Sequence, residues 1–235
     1  MNKAFCFLGL VSVVSACEPL PYSPNRATES PLPKNAFVHL VVASSPSPAV
    51  ELSISHQVRA VVGRRGVSPR LELSAGNYPL LLTGGGSTLC ETGLQLLPGS
   101  ETLLVANAST QTNDPKCPFL KLAAYPLGQR DPKQARVRLL HSSPDAPMLE
   151  LLGPSGQELV DGIAVDTISA YGALSSAVSA GSVLQLREPL DKQPLFDVTA
   201  PLLGLGSATT WFSVGEIGPL ATDNAFAMLS LDEES

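Results

Sequence analysis

The chain has few of the residues from which catalytic and metal sites are usually built. Its 235 residues include three histidines, four cysteines and one tryptophan, and aromatic residues make up 5% of the total. Lys and Arg number 15 against 21 Asp and Glu, and no run of basic residues occurs. Because nucleic-acid surfaces and polybasic membrane patches need clustered positive charge, we expect no nucleic-acid partner.

The chain also lacks an apolar run long enough to span a bilayer. The apolar stretch Ala4–Val14 follows Lys3 and is shorter than the roughly 20 residues of a membrane helix, so it is typical of a cleaved export signal. It ends in Val14-Ser15-Ala16-Cys17, which resembles the lipobox of bacterial lipoproteins, whose signal peptidase cuts before a diacylated cysteine. We therefore expect residues 1–16 to be removed and Cys17 to carry lipid. The alternative is an ordinary signal cut near Ala16 that leaves a soluble secreted protein.

The segment after Cys17 is rich in proline. Five prolines lie among polar residues in 17–34, which predicts an extended, stiff tether. Several acyl chains on one cysteine would anchor the chain stably. In Gram-negative lipoproteins, Asp after the cysteine favours the inner membrane. The signal and the lipobox predict an exported, lipid-anchored protein of the cell envelope, and Glu18 in place of Asp favours the outer membrane of a Gram-negative bacterium.

Only two cysteines remain beyond the signal and Cys17. Cys90 and Cys117 would lie in an oxidising compartment, so we expect them to form a disulfide. The bridge would close a loop of about 28 residues and contribute roughly 3–4 kcal/mol. A redox pair would need a tight C-x-x-C spacing, which is absent.

The remainder of the chain consists of two halves with similar sequence patterns. One opens at Val38–Pro46 and the other at Val137–Pro144, and each is an apolar strand followed by Ser-Ser-Pro. Three further matches follow in the same order. The first is a strand with one Glu between apolar neighbours, Glu51 in one half and Glu150 in the other, and the next two are a Ser-Ala-Gly turn and a Gly-Ser turn before a strand. This order predicts a tandem duplication, with domains at 35–125 and 134–235 and a linker at 126–133.

The pattern within each half favours strands. Apolar residues alternate with others in Ala49–Ile54, and Gly, Pro and Ser separate the short apolar runs. We therefore predict an all-β chain of two tandem small antiparallel β-sandwich domains, immunoglobulin-like or transthyretin-like. Ile168–Ala180 is the exception, because its pattern is compatible with a short helical turn.

The second half carries a family resemblance. Residues 135–147, ARVRLLHSSPDAP, resemble the opening signature of the bacterial domain of unknown function 4397. Leu149-Glu150-Leu151, Ser179-Ala180-Gly181 and Phe212–Gly215 match later features, although the family more often has Asp at the acidic position. The first half is a degraded copy, with Ala43 in place of the His. The resemblance implies exported, often tandem, β-rich surface domains. It implies no known activity, so no catalytic residue is carried over.

The signature places His141, Ser143, Pro144, Asp145 and Pro147 at the end of a strand. An imidazole, hydroxyls and a carboxylate there are compatible with a nucleophile and its base or with metal ligands. A structural role is the stronger interpretation. Ser143 and Asp145 can hydrogen-bond to the backbone and Pro144 fixes φ, which predicts a tight turn with a partly buried His141 bonded to it.

Other motifs indicate neither a cofactor nor a metal. Thr83–Thr88, TGGGST, lacks the lysine of a phosphate loop and is typical of a hairpin turn. His39, His56 and His141 are scattered along the chain. The acidic run 232–234 lies at a terminus that we expect to be frayed.

Together these observations predict a non-enzymatic envelope lipoprotein that acts as a surface binding or assembly module. Its partner would be an envelope protein or an extracellular glycan, and the scarcity of aromatic side chains favours a protein. Two alternatives remain open: a hydrolase of envelope polymers that uses the His141–Asp145 turn, and a purely structural spacer. A binding module should carry an exposed aromatic or apolar patch, which a spacer would lack.

Overall fold

A computed structural model describes residues 34–108, 114–128, 130–215 and 226–233. The predicted export signal, the lipidation site Cys17 and the tether up to residue 33 lie outside these residues. Every regular element in the described ranges is a β-strand. Within those ranges there is no helix with the length and apolar character needed to cross a membrane.

The first half contains nine strands in two sheets. The inner sheet has the order β4-β1-β8-β9, with β5 also paired to β1, and the outer sheet has the order β3-β2-β6-β7. The strands are β1 Asn35–Val42, β2 Ala49–Ile54, β3 Gln57–Gly63, β4 Gly66–Val67, β5 Leu71–Ser74, β6 Gly76–Gly84, β7 Ser87–Leu96, β8 Glu101–Ala108 and β9 Leu120–Pro126.

The second half repeats this arrangement strand for strand. Its inner sheet has the order β13-β10-β17-β18, with β14 paired to β10, and its outer sheet has the order β12-β11-β15-β16. The strands are β10 Ala135–His141, β11 Leu149–Leu152, β12 Glu158–Ile163, β13 Thr167–Ile168, β14 Gly172–Leu174, β15 Val183–Arg187, β16 Pro194–Thr199, β17 Ala208–Val214 and β18 Ala227–Asp232. The predicted all-β class and tandem sandwich architecture are confirmed.

The sheets are not wholly antiparallel, and this corrects the prediction. In each half the first strand pairs in parallel with a late strand, β1 with β8 and β10 with β17. A parallel pair requires the chain to cross over before it returns to the same sheet. Here it crosses through the outer sheet. Alternation within one strand reports which face is buried and carries no information about the direction of its neighbour.

The inner sheets are buried on both faces. Along β1, Val38 and Leu40 pack into the core of the first sandwich, while Val41 belongs to a separate cluster that both halves share. We call this the interdomain cluster. Its buried members are Val41, Ala43, Leu103, Val105 and Leu127 from the first half and linker, and Leu140, Phe212 and Val214 from the second half. The two inner sheets therefore face each other, and each half also keeps a core of its own.

The segment Ile168–Ala180 does not form the helical turn that its pattern allowed. It contributes β13 and β14, and Val178 forms a bridge with Leu203. Both short strands pair with β10. Gly172 is required there, because a Cβ at this position would lie 1.9 Å from the carbonyl oxygen of Leu159. Pairing with β10 and the close approach at Gly172 therefore favour strands here, although the sequence pattern of the segment is compatible with a helical turn.

A disulfide joins Cys90 of β7 to Cys117 in the segment before β9. Both cysteines are buried in the core of the first half. The second half has no disulfide among its described residues, and its core instead includes Trp211.

Candidate functional site

The turn after β10 holds the first candidate residue, His141. The ring is fully buried, where partial burial was predicted, because Ser213 of β17 and the turn residue Pro147 both contact it. Nε2 lies 2.9 Å from the carbonyl oxygen of Pro147, so Nε2–H donates. Nδ1 accepts from the Ser213 hydroxyl at 3.0 Å and from the Ser143 N–H at 3.3 Å. Burial lowers the pKa of His141 below its usual 6.5, against the hydrogen bond to the Pro147 carbonyl, which favours the charged form.

The other turn residues also bond within the protein. Ser143 Oγ donates to the carbonyl oxygen of Gly215 at 2.5 Å and lies 3.4 Å from Oδ1 of Asp145. The Ala146 N–H closes the turn on the Ser143 carbonyl. Ser213 and His141 have the pairing of a nucleophile and its base, but both are fully buried. Among the described residues, the hydrogen bonds of both side chains and of the turn are made within the protein.

The glycine-rich segment forms the β6–β7 hairpin, as predicted. Gly84 pairs with Ser87, which leaves a two-residue loop. The loop residues Gly85 and Gly86 have φ of 59° and 80°, the left-handed conformation that a type I′ turn requires at both positions. Two clefts lie beside this turn.

The larger of the two, which we call the Glu51 cleft, lies on the exposed face of the outer sheet. It has a volume of about 410 Å³. Its lining is Ala49, Glu51, Val61, Thr83, Gly84, Gly85, Gly86 and Thr88. Four of these residues form one row across the sheet, because Val61 pairs with Glu51, Glu51 with Thr83 and Thr83 with Thr88. Val61 is 65% exposed.

The smaller cleft, the Phe119 cleft, has a volume of about 270 Å³. Its lining is Pro46, Ser47, Pro48, Gly84, Gly85, Ser87, Leu89 and Phe119. The Phe119 side chain is 50% exposed. A Cβ at Gly84 would lie 2.6 Å from the Cβ of Ser47, so glycine allows the two loops to approach. The sequence indicated the turn but gave no sign of the clefts, because their other walls come from distant segments.

The acidic residue of the repeat has different surroundings in the two halves. Glu150 of β11 is fully buried, and Arg187 of β15 covers it with Nε 2.6 Å from Oε2 and a second nitrogen 2.9 Å from Oε1. Lys192 Nζ lies 3.4 Å from Oε2. The hydrogen bonds from Arg187 hold the pKa of Glu150 below its usual value. Glu51 of β2 has no ion pair within the described residues and faces its cleft.

Two residues of the C-terminal acidic run, Asp232 and Glu233, form hydrogen bonds with the rest of the second half and the linker, which corrects the expectation of a frayed terminus. Glu233 is buried, and its carboxylate accepts hydrogen bonds from Thr210, Tyr171 and the Gly128 N–H. Asp232 accepts one from Thr209 at 2.9 Å. The third residue of the run, 234, lies outside the described residues. Across the described part of the chain, no three or more His, Cys, Asp or Glu side chains are arranged to hold a metal ion.

Comparisons with known proteins find similarity to solved structures only at low identity and low TM-score. Neither a protein-family model nor a curated protein matches the chain, so the resemblance to the domain of unknown function 4397 stays a prediction. A candidate cell adhesion protein from Bacteroides uniformis matches 85% of this chain and 97% of its own, at 8% identity and a TM-score of 0.27.

Two structures from Bacteroides ovatus match in the same way. A candidate adhesin covers 84% of this chain and 92% of its own, at 8% identity and a TM-score of 0.24. A candidate cell adhesion protein covers 86% and 97%, at 12% identity and a TM-score of 0.24.

Proposed function

We propose that this chain is a non-enzymatic binding module of the bacterial cell surface. In this proposal a diacylated Cys17 anchors it in the outer membrane, the proline-rich segment holds it away from the lipid, and its first half binds a partner protein. The observation that carries the proposal is the pair of clefts on either side of the 84–87 turn. Exposed Val61 borders one cleft and exposed Phe119 borders the other.

The clefts have the features expected of a protein-binding surface. The Phe119 cleft supplies mainly apolar surface around two serines, whereas the Glu51 cleft adds a carboxylate and two threonine hydroxyls beside Val61. Apolar contact area next to a few polar groups is typical of sites that combine contact area with orientation. A purely structural spacer has no need for such a surface. The stacking of the two inner sheets also leaves the outer sheet of the first half free to meet a partner.

The hydrolase alternative has less support. Its candidate residues are in the His141 turn, where the imidazole is buried and both ring nitrogens are hydrogen-bonded inside the protein. General base catalysis requires the base to reach a proton on the substrate, directly or through one water. The buried ring does not meet this requirement.

Site-specific photo-crosslinking in intact cells tests the binding proposal. A photoreactive residue at Val61 should give one dominant crosslinked protein. The matched control is Val183 of the second half, a valine at 49% exposure on the outer sheet. Crosslinking to the same protein from both positions, or to none from Val61, would contradict a partner surface at the clefts.

The anchor is tested separately. The native protein should incorporate radiolabelled palmitate and fractionate with the outer membrane on a density gradient. Cys17→Ser should abolish both properties. A protein that stays membrane-bound without this cysteine would overturn the lipid anchor while leaving the binding surface untouched.

A further inference from the structure

The two halves place a carboxylate at the same position of the repeat, but among the residues that the structure describes only the second half supplies it with an arginine. We propose that the Glu51 cleft binds the guanidinium group of an arginine side chain on the partner protein, where the second half uses its own Arg187. This inference rests on the proposed function, because it names the chemistry of the partner at that surface.

The second half shows what this position of the repeat binds. Glu150 lies on β11 opposite Arg187 of the neighbouring strand, β15. Two guanidinium nitrogens contact the two carboxylate oxygens at 2.6 Å and 2.9 Å. This is the paired geometry that makes arginine–carboxylate contacts both strong and directional. Glu150 is fully buried, with Arg187 and Lys192 both in contact with its carboxylate.

In the first half the strand partner of the equivalent glutamate is a threonine. Glu51 lies on β2, the counterpart of β11, and pairs with Thr83 of β6, the counterpart of β15. Thr83 therefore stands where the second half has Arg187. The shorter side chain leaves a cleft of about 410 Å³ in front of the carboxylate, a volume within the usual range of ligand pockets.

The chemistry of the lining suits a guanidinium. Glu51 supplies the two oxygens for a paired contact, and the hydroxyls of Thr83 and Thr88 are acceptors for the remaining N–H donors. Val61 offers an apolar surface to the aliphatic part of an arginine side chain. The space beside Gly86 is open, since a Cβ built there would have no heavy atom within 4 Å.

Arginine is a better match than lysine. An ammonium group is a point charge with a strong hydration shell, whereas the planar guanidinium presents donors at the spacing of a carboxylate. The negative net charge of the chain, −6, also favours a cationic group on the partner.

The inference is tested by titrating the protein with N-acetyl-arginine methylamide and following backbone amide resonances by NMR. Saturable shifts are expected at residues 49–51 and 83–88. The isosteric citrulline derivative, which has no charge, should bind at least tenfold more weakly. Equal binding of the two compounds, or shifts confined to other surfaces, would overturn the inference.

Three variants locate the site. Glu51→Gln should weaken binding at least tenfold, and Glu51→Asp should retain part of it, which shows that the loss follows the charge. Thr83→Arg should place an internal guanidinium on Glu51, abolish binding of the probe and raise the melting temperature. Glu150→Gln is the matched control at the other half and should bind the probe as the native protein does. Unchanged binding by Glu51→Gln or by Thr83→Arg would overturn the inference.

The outcome is separable from that of the proposed function. A partner that crosslinks at Val61, combined with no response to the arginine probe, would retain the binding surface and reject the arginine. Binding of the probe without any partner at Val61 in cells would reject the proposed function and leave a guanidinium site.

Discussion

The backbone N–H of Gly128, in the linker between the halves, donates to Oε2 of Glu233 over a distance of 2.8 Å. The same carboxylate accepts from Thr210 at 2.6 Å and from Tyr171 at 2.7 Å, and Arg138 lies 3.5 Å from its other oxygen. Burial and the nearby carboxylate raise the pKa of the Tyr171 hydroxyl. One buried acid thus connects the linker with the inner sheet of the second half.

Glu233→Gln should destabilise the protein by about 3 kcal/mol, because it leaves the buried guanidinium of Arg138 without its counter-charge. Chemical denaturation measures the change. Asp232→Asn is the matched control, since Asp232 is exposed and its partner is the neutral hydroxyl of Thr209 instead of a buried cation. Equal losses of stability in Glu233→Gln and Asp232→Asn would show that the burial of Glu233 does not determine the size of the effect.

The Glu150–Arg187 pair should make the stability depend on acidic pH. Because the folded state lowers the pKa of Glu150 below its usual 4.5, the contribution of the pair is fully present above that pH. It is lost as the pH falls through the lower, folded value. Glu150→Gln should therefore show a shallower loss of stability in acid than the native protein, as measured by denaturation at a series of pH values.

Arg187→Lys separates charge from geometry at the same pair. It keeps the positive charge and removes the paired hydrogen bonds, so its acid dependence should lie between those of the native protein and Glu150→Gln. If Glu150→Gln loses stability in acid as steeply as the native protein, the Glu150–Arg187 pair does not cause the acid dependence.

The buried His141 should weaken the fold as the pH falls below neutrality. Burial lowers the pKa of His141 from its usual 6.5, so below that pH the unfolded chain gains a proton that the folded ring does not take up. Stability is then complete above pH 6.5 and falls below it. His141→Gln should remove this loss, at a cost of about 1–3 kcal/mol at pH 8 from the disrupted hydrogen bonds.

Nitrogen NMR of the imidazole gives an independent check of the same ring. The native protein should show a proton on Nε2 and none on Nδ1, in accordance with the bonds to Pro147 and Ser213. The opposite tautomer, or a pH dependence that persists in His141→Gln, would contradict the buried neutral histidine.

The disulfide should stabilise the first half. Its cysteines are 27 residues apart, and a loop of that size corresponds to about 3–4 kcal/mol. Removing both, Cys90→Ala with Cys117→Ala, should lower the denaturation midpoint of the protein. Dithiothreitol should lower the midpoint of the native protein to a similar degree and leave the double variant unchanged. A further decrease in the double variant would mean that the reductant acts elsewhere.

Much of the fold was readable from local pattern. The alternation in Ala49–Ile54 predicted strands, because every second side chain of a strand points to the same face of the sheet. The repeated Ser-Ser-Pro turns predicted that the chain consists of two similar halves. The TGGGST segment predicted its hairpin for an equally local reason, since a two-residue I′ turn needs positive φ at both positions.

The candidate site was readable only in part. The sequence singled out the acids Glu51 and Glu150 as repeat equivalents, but their surroundings depend on the strands that pair beside them. Thr83 and Arg187 lie more than 30 residues further along the chain. The sequence similarity between β2 and β11 therefore does not predict which residue of the adjacent strand pairs with the glutamate.

By itself the sequence determined the class, the duplication and the places where the chain turns, because these depend on residues within a few positions of one another. Only the tertiary structure decided that β1 and β8 run parallel, that the inner sheets bury their second faces together and that His141 is closed to solvent. Those features come from contacts between segments tens of residues apart. Their energies depend on packing and register, which no local pattern encodes.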